Sequence, residues 1–326
     1  MIATAIGSVP GDFLEASRRS VEIFDTIAFF PEIISDIPQG MIGRLSAIMP
    51  IGCEYRDGSW NLSASSSRLQ RALAQQLDDQ LELFAQIAQG YSGAIKIAFS
   101  GVWTYAACVQ RGYGSKEKAL MDKGALKDLT QGIAEGITGV ISRLSQLLSS
   151  PLIVQIDEPY LDAIIKGKVP TFSKLHRYPP YDPALIGQAL VEIVDRLRRD
   201  SSVQTWLHLC CPLPDVDAIY RPFDGISCDL RYVSGADRQR CAAWLDEGKS
   251  LVLGAVPTDA DQVVNSKRLN QVASWCESLS IATDILLDKV ILTPSCGLAL
   301  STEQQAWTML EQIPHFADEL HQMLCS

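Results

Sequence analysis

Short apolar runs alternate with amphipathic stretches along almost the whole chain. Residues 1–10 open with a β-prone run that ends in the turn-rich Gly7-Ser8-Val9-Pro10-Gly11. Further strand candidates are 26–30, stopped by Pro31-Glu32; 94–99, broken by Ser100-Gly101; 151–156, ending in Asp157-Glu158-Pro159; and 203–209, stopping at His208-Leu209-Cys210-Cys211-Pro212. The last three are 225–230, 250–256 before Pro257, and 290–293 before Pro294. Runs of this length bounded by breakers read as buried strands. Helical periodicity occupies 12–24, 69–88, 126–148, 183–199, 237–247, 269–279 and 302–324. In 69–88 the stripe Leu69, Leu73, Leu77, Leu81 and Leu83-Phe84 is the clearest. Residues 40–55 show no clear period, and Asp57-Gly58 reads as a tight turn.

Strands alternating with helices predict a parallel sheet. Eight such units predict a single (β/α)8 TIM barrel over residues 1–326, with its active site at the C-terminal ends of the strands. A doubly wound open sheet is the competing closure, but no Gly-rich phosphate fingerprint follows the first strand. The strand ends read, in order, Gly7-Ser8, Glu32, Ser100-Gly101, Asp157-Glu158, His208 with Cys210-Cys211, Asp229, Pro257 and Cys296. Polar and metal-capable residues thus gather at one end of nearly every strand, where random placement would scatter them.

Composition narrows the partners. The 326 residues are 47% hydrophobic and 20% charged, as in an ordinary globular protein. A net charge of −10 without a basic block argues against nucleic acid or an anionic membrane surface. No apolar stretch reaches the roughly 18–20 residues needed to span a bilayer. The first residues carry no basic segment ahead of a long apolar one, so no secretion signal is expected. Nine cysteines without such a signal point to a reducing cytoplasm, where they serve as ligands, nucleophiles or filler rather than disulfides.

In a strand, residues two apart share a face, so His208 and Cys210 project together. With Asp229 and Cys296 at other strand ends they form a metal-ligand set for Zn²⁺: one imidazole, two thiolates and one carboxylate. Sulfur ligands disfavour Mg²⁺ and Ca²⁺. The set is dispersed in sequence, unlike the paired cysteines of structural zinc modules. Ligand charge of about −3 makes such a zinc a weak Lewis acid toward carbonyls. It suits a substrate thiol, which titrates near 8.5 when free and loses its proton on coordination. Cys211 is either an alternative ligand or filler.

Ile6-Gly7-Ser8, Ile156-Asp157-Glu158-Pro159, His208-Leu209-Cys210 and Pro294-Ser295-Cys296-Gly297-Leu298 resemble, in order and spacing, the signature segments of the cobalamin-independent methionine synthase family. The resemblance spans essentially the whole chain and is to the catalytic C-terminal half of the long enzymes, closer still to the short single-barrel form. It implies a homocysteine S-methyltransferase of methionine biosynthesis. It also implies zinc ligation by His208, Cys210 and Cys296, with Asp229 where the family usually has glutamate. Gly7-Ser8 would then contact the substrate carboxylate, and Glu32 and Asp157 would hold its ammonium group as the catalytic acids.

Departures from the family pattern touch the methyl donor. Gly254-Ala255-Val256-Pro257-Thr258-Asp259 lacks the proton-transfer histidine of the long form, and Ala299-Leu300 lacks its basic residue. The folate-binding N-terminal barrel has no counterpart. The expected donor is therefore a methylcorrinoid, free or on a carrier protein, rather than 5-methyltetrahydrofolate. The alternatives are methyl transfer to another thiol and a non-catalytic zinc-binding barrel. Uroporphyrinogen decarboxylases share the fold, but the arginine-rich N-terminal loops they use are not seen here. Trp103, Tyr105, His176, His315, His321 and the remaining cysteines are read as packing or surface, and Lys96, inside an apolar strand, is left unassigned.

Overall fold

The structure, a computed structural model, describes residues 1–34, 39–258 and 265–326. Its strands are β1 (Ile2–Ala3), β2 (Ser8–Val9), β3 (Ile27–Phe29), β4 (Glu32–Ile33), β5 (Cys53–Arg56), β6 (Ser59–Leu62), β7 (Ala94–Ser100), β8 (Leu152–Asp157), β9 (Gln204–Leu209), β10 (Gly225–Asp229), β11 (Ser250–Val256) and β12 (Val290–Pro294). Eight of them pair in parallel in the order β1-β12-β11-β10-β9-β8-β7-β3. Helices separate them along the chain, giving the expected TIM-barrel architecture.

The two ends of that order meet through their own continuations. β2 and β4 pair in parallel with Ser8 opposite Glu32, and the Glu32 N–H donates to the Gly7 carbonyl at 3.0 Å. Lower down, the Thr4 hydroxyl donates to the Ile27 carbonyl at 2.9 Å. The seam of the barrel is therefore built by residues adjoining the candidate site.

The helices begin where the sequence supplies a cap. Asp12 accepts from the N–H groups of Leu14 and Glu15 at the start of Phe13–Ile23, and Asp122 does the same for Lys123–Leu147. In Arg68–Ile87 the residues Leu73, Leu77, Leu81 and Phe84 are buried, while Leu69 and Leu83 are half-buried at the margins of the stripe. The stretch without a clear period contains the helix Met41–Ile48. Asp57 and Gly58 form the tight turn of the β5–β6 hairpin, with φ of 50° and 77°.

Inside the barrel, polarity changes along the strands. Ile27, Ile153, Trp206, Val252 and Ile291 form an apolar floor at the N-terminal end. Two residues further along the same strands stand Gln155, His208 and Thr293, and beyond them come Asp157, Cys210 and Ser295. Trp206 fills the floor: a Cβ on Gly225 would lie 2.6 Å from its indole. No described helix is long and apolar enough to cross a membrane.

Trp206 is 1% exposed. Trp206→Ala is predicted to lower stability by about 3–5 kcal/mol. In urea denaturation this appears as a reduced midpoint at unchanged slope.

Candidate active site

β9 ends on His208 and Leu209, and the chain continues into Cys210. The loop leaving β12 carries Cys296. One ligand atom from each of His208, Cys210 and Cys296 lies within 4.8 Å of the others. His208 Nδ1 is 2.8 Å from the Ser227 hydroxyl on β10, which orients the ring. Its Nε2 is buried and has no hydrogen-bond partner. A buried imidazole nitrogen left open beside two thiols fits a metal ion with soft ligands. The thiols are coupled. Contact with Cys210, helped by the nearby imidazole against the effect of burial, pulls Cys296 well below the usual thiol range. The same contact, with burial, pushes Cys210 up.

Asp229, the fourth expected ligand, is not among the three residues that the 4.8 Å distance joins. Arg231, two residues on, grips its carboxylate through Nε at 3.1 Å and Nη2 at 2.7 Å, and the Arg231 N–H donates to Oδ1 at 2.9 Å. The short aspartate arm is thus folded back to cap the turn after β10. Arg231 Nη2 also donates to the Ser295 hydroxyl at 3.2 Å, tying that turn to the Cys296 loop. Cys211 lies outside the group, half-buried against the main core.

The other half of the site lies along the seam. Gly7 adopts φ 147°, which favours glycine. The Leu298 N–H donates to the Ser8 carbonyl at 2.7 Å, and a Cβ on Gly297 would lie 2.0 Å from the Ser8 hydroxyl. The loop bearing Cys296 is therefore seated directly on Ser8. Asp157 is the register partner of His208. Burial raises its carboxyl, with His208, Gln155 and Lys96 opposing. Burial pushes Glu32 from 4.5 up to about 7, with Arg44 opposing and Asp157 adding to the rise. Its Oε1 is buried without a hydrogen-bond partner. Arg44, from the helix Met41–Ile48, stacks over Phe30 at 4.9 Å.

Glu158, next to Asp157, has a different part. It is fully buried and accepts from the N–H groups of Trp103 and Thr104 at 2.9 and 2.7 Å, capping the helix Val102–Cys108. The sequence reading missed Arg44, Gln155, Ser227 and Arg231. Of these, Gln155 and Ser227 were detectable as polar residues inside apolar strands, whereas Arg44 and Arg231 carried no signal. Trp103 and Tyr105 are buried in packing, with the Trp103 ring 4.7 Å from Tyr181. His176, His315 and His321 are exposed. The loop after β11 is described only to Thr258, so Asp259 lies outside the described residues.

Residues 120–319, more than half of the chain, match the family described as the cobalamin-independent synthase catalytic domain. No curated protein matches. Among solved structures, the GH26 domain of an endo-β-mannanase/endo-β-glucanase from Prevotella bryantii is similar at 10% identity over 94% of this chain and 88% of that one, with a TM-score of 0.42. The β-glycosidase of the hyperthermophile Thermosphaera aggregans aligns at 12% identity over 96% and 88%, also at 0.42. Dihydrodipicolinate synthase from Oceanobacillus iheyensis aligns at 11% over 96% and 79%, at 0.33.

Between about pH 4.5 and 7 the folded chain keeps the Glu32 proton that an unfolded chain has lost, so stability falls as pH rises through that window. Glu32→Gln removes this contribution. The stability lost between about pH 5 and pH 8 is predicted to shrink by about 3 kcal/mol in the variant. An unchanged loss would show that Glu32 ionises in the fold at no cost.

Proposed function

The chain belongs to the cobalamin-independent synthase catalytic-domain family, and on that premise we propose that this methionine synthase-like methyltransferase is a zinc-dependent homocysteine S-methyltransferase. The observation that carries the proposal is the open Nε2 of His208 beside the Cys210 and Cys296 thiols, on the strand next to Asp157. His208, Cys210 and Cys296 would hold the ion. When bound, zinc lowers the pKa of a substrate thiol so that it is deprotonated at neutral pH.

The chain's own groups do the rest. Ser8, presented beyond Gly7 at the seam, receives the amino acid's carboxylate. Glu32 and Asp157 receive its ammonium. The unpartnered Oε1 of Glu32 is an acceptor that such a ligand satisfies. An acceptor held at both charged ends has its thiol delivered to one place, which removes much of the entropic barrier to transfer. In the reaction the thiol proton is lost, a sulfur–methyl bond forms and the donor–methyl bond breaks, its electron pair leaving with the donor. The paired acids favour an amino-acid acceptor over another thiol.

The proposed donor is a methylcorrinoid, supported by the absent proton-transfer histidine and basic residue noted in the sequence. One observation favours 5-methyltetrahydrofolate instead. A cleft of about 580 Å³, lined by Tyr55, Trp60, Tyr160 and Phe172, opens beside Tyr160, three residues after Asp157. Aromatic walls of this kind suit a planar heterocycle.

Purified protein is predicted to hold about one zinc per chain. Metal analysis should show severalfold loss in Cys296→Ser and His208→Asn but retention in Asp229→Asn, because Arg231 already occupies that carboxylate. A zinc-free wild type would remove the metal assignment. Homocysteine offered with methylcobalamin is expected to yield methionine. Product with 5-methyltetrahydrofolate alone would reverse the donor, and none with either would sink the methyltransferase reading.

A further inference from the structure

β7 carries a lysine in its apolar run that none of the chemistry above uses. Lys96 is 1% exposed, two residues beyond Ala94, which packs against the barrel floor. Its ammonium donates to the Ile6 carbonyl at 2.6 Å and to Gln155 Oε1 at 2.8 Å. Both partners are neutral, and burying an ammonium on neutral partners is costly. A packing role alone would be met by methionine, of similar length and without the charge.

Gln155 shows what the charge does. Its amide nitrogen donates to the Ile6 carbonyl at 3.1 Å and to Asp157 Oδ1 at 2.8 Å. A glutamine amide can present either its oxygen or its NH₂ to a neighbour. As an ammonium, its form below about pH 7, the lysine has no acceptor capacity and can face only the amide oxygen. That leaves the NH₂ end aimed at Asp157. We propose that Lys96 is a positioning residue for the amino-acid acceptor: by fixing the orientation of Gln155, it holds Asp157 in the rotamer that receives the substrate's α-ammonium. Lys96 itself does not touch the substrate. With Lys96 removed, the Gln155 oxygen loses its donor, the amide is braced only through its NH₂ end, and its hold on the Asp157 carboxylate loosens.

The inference rests on the reading of an amino-acid acceptor bound through Asp157. Its test compares homocysteine with 4-mercaptobutyrate, which has the same thiol and carboxylate but no α-ammonium, by titration calorimetry on the zinc-loaded protein. Lys96→Met is expected to weaken homocysteine about tenfold or more while 4-mercaptobutyrate affinity and zinc content stay within about twofold. Gln155→Met, which leaves the lysine on the Ile6 carbonyl, is expected to show the same selective loss. Equal loss for both thiols, or undiminished homocysteine binding in the two variants, overturns the positioning role. A wild type that binds the two thiols equally reads no ammonium, and it overturns the amino-acid reading and this inference with it.

Discussion

The seam of the barrel is the constraint on which the rest depends. β1 and β3, the two ends of the sheet order, do not pair with each other, and closure passes to the Ser8–Glu32 pair. The residues that close the barrel are therefore also those that face the proposed acceptor. The Leu298 N–H on the Ser8 carbonyl brings the Cys296 loop to the same seam. The close approach of Gly297 to Ser8 leaves no room for a side chain between them. Ser8 and the Cys296 loop come from opposite ends of the chain but are joined by a backbone bond, so their separation is fixed by the fold rather than by flexible side chains.

Above the floor, the barrel interior holds groups that a core ordinarily excludes. Lys96, Glu32 and Asp157 are all buried, and Asp157 is the register partner of His208. Burial pulls Lys96 down to about 7 and raises both carboxyls. Each shift means the charged form is poorly solvated there, which costs stability. The apolar floor around Trp206 and the continuous core between strands and helices offset that cost. A site poor in water strengthens every interaction made within it, including those with a zwitterionic ligand.

The family to which the chain belongs and the trio His208, Cys210 and Cys296 bear on the reaction from independent directions. Family membership is a statement about the sequence over residues 120–319. The open imidazole nitrogen is a statement about local hydrogen bonding. Ser8 and Glu32 lie outside the matched region, and they are joined to it by the seam. The donor side is less constrained, because aromatic walls accept more than one flat molecule.

By itself the sequence determined the architecture. All eight barrel strands lie where breakers bound short apolar runs, because a continuous apolar run and its Gly or Pro stop are local properties. It also placed His208 and Cys210 on one face, since strand alternation needs no knowledge of the rest of the fold. What only the tertiary structure decided were contacts that depend on side-chain reach. Arg231 claims Asp229, although the two stand in sequence like any aspartate and arginine at a strand end. Arg44 arrives beside Glu32 from a helix whose period was too weak to read. Lys96 looked misplaced in an apolar strand until β8 set Gln155 beside it, and no local pattern announces that meeting because the two residues lie far apart in the chain.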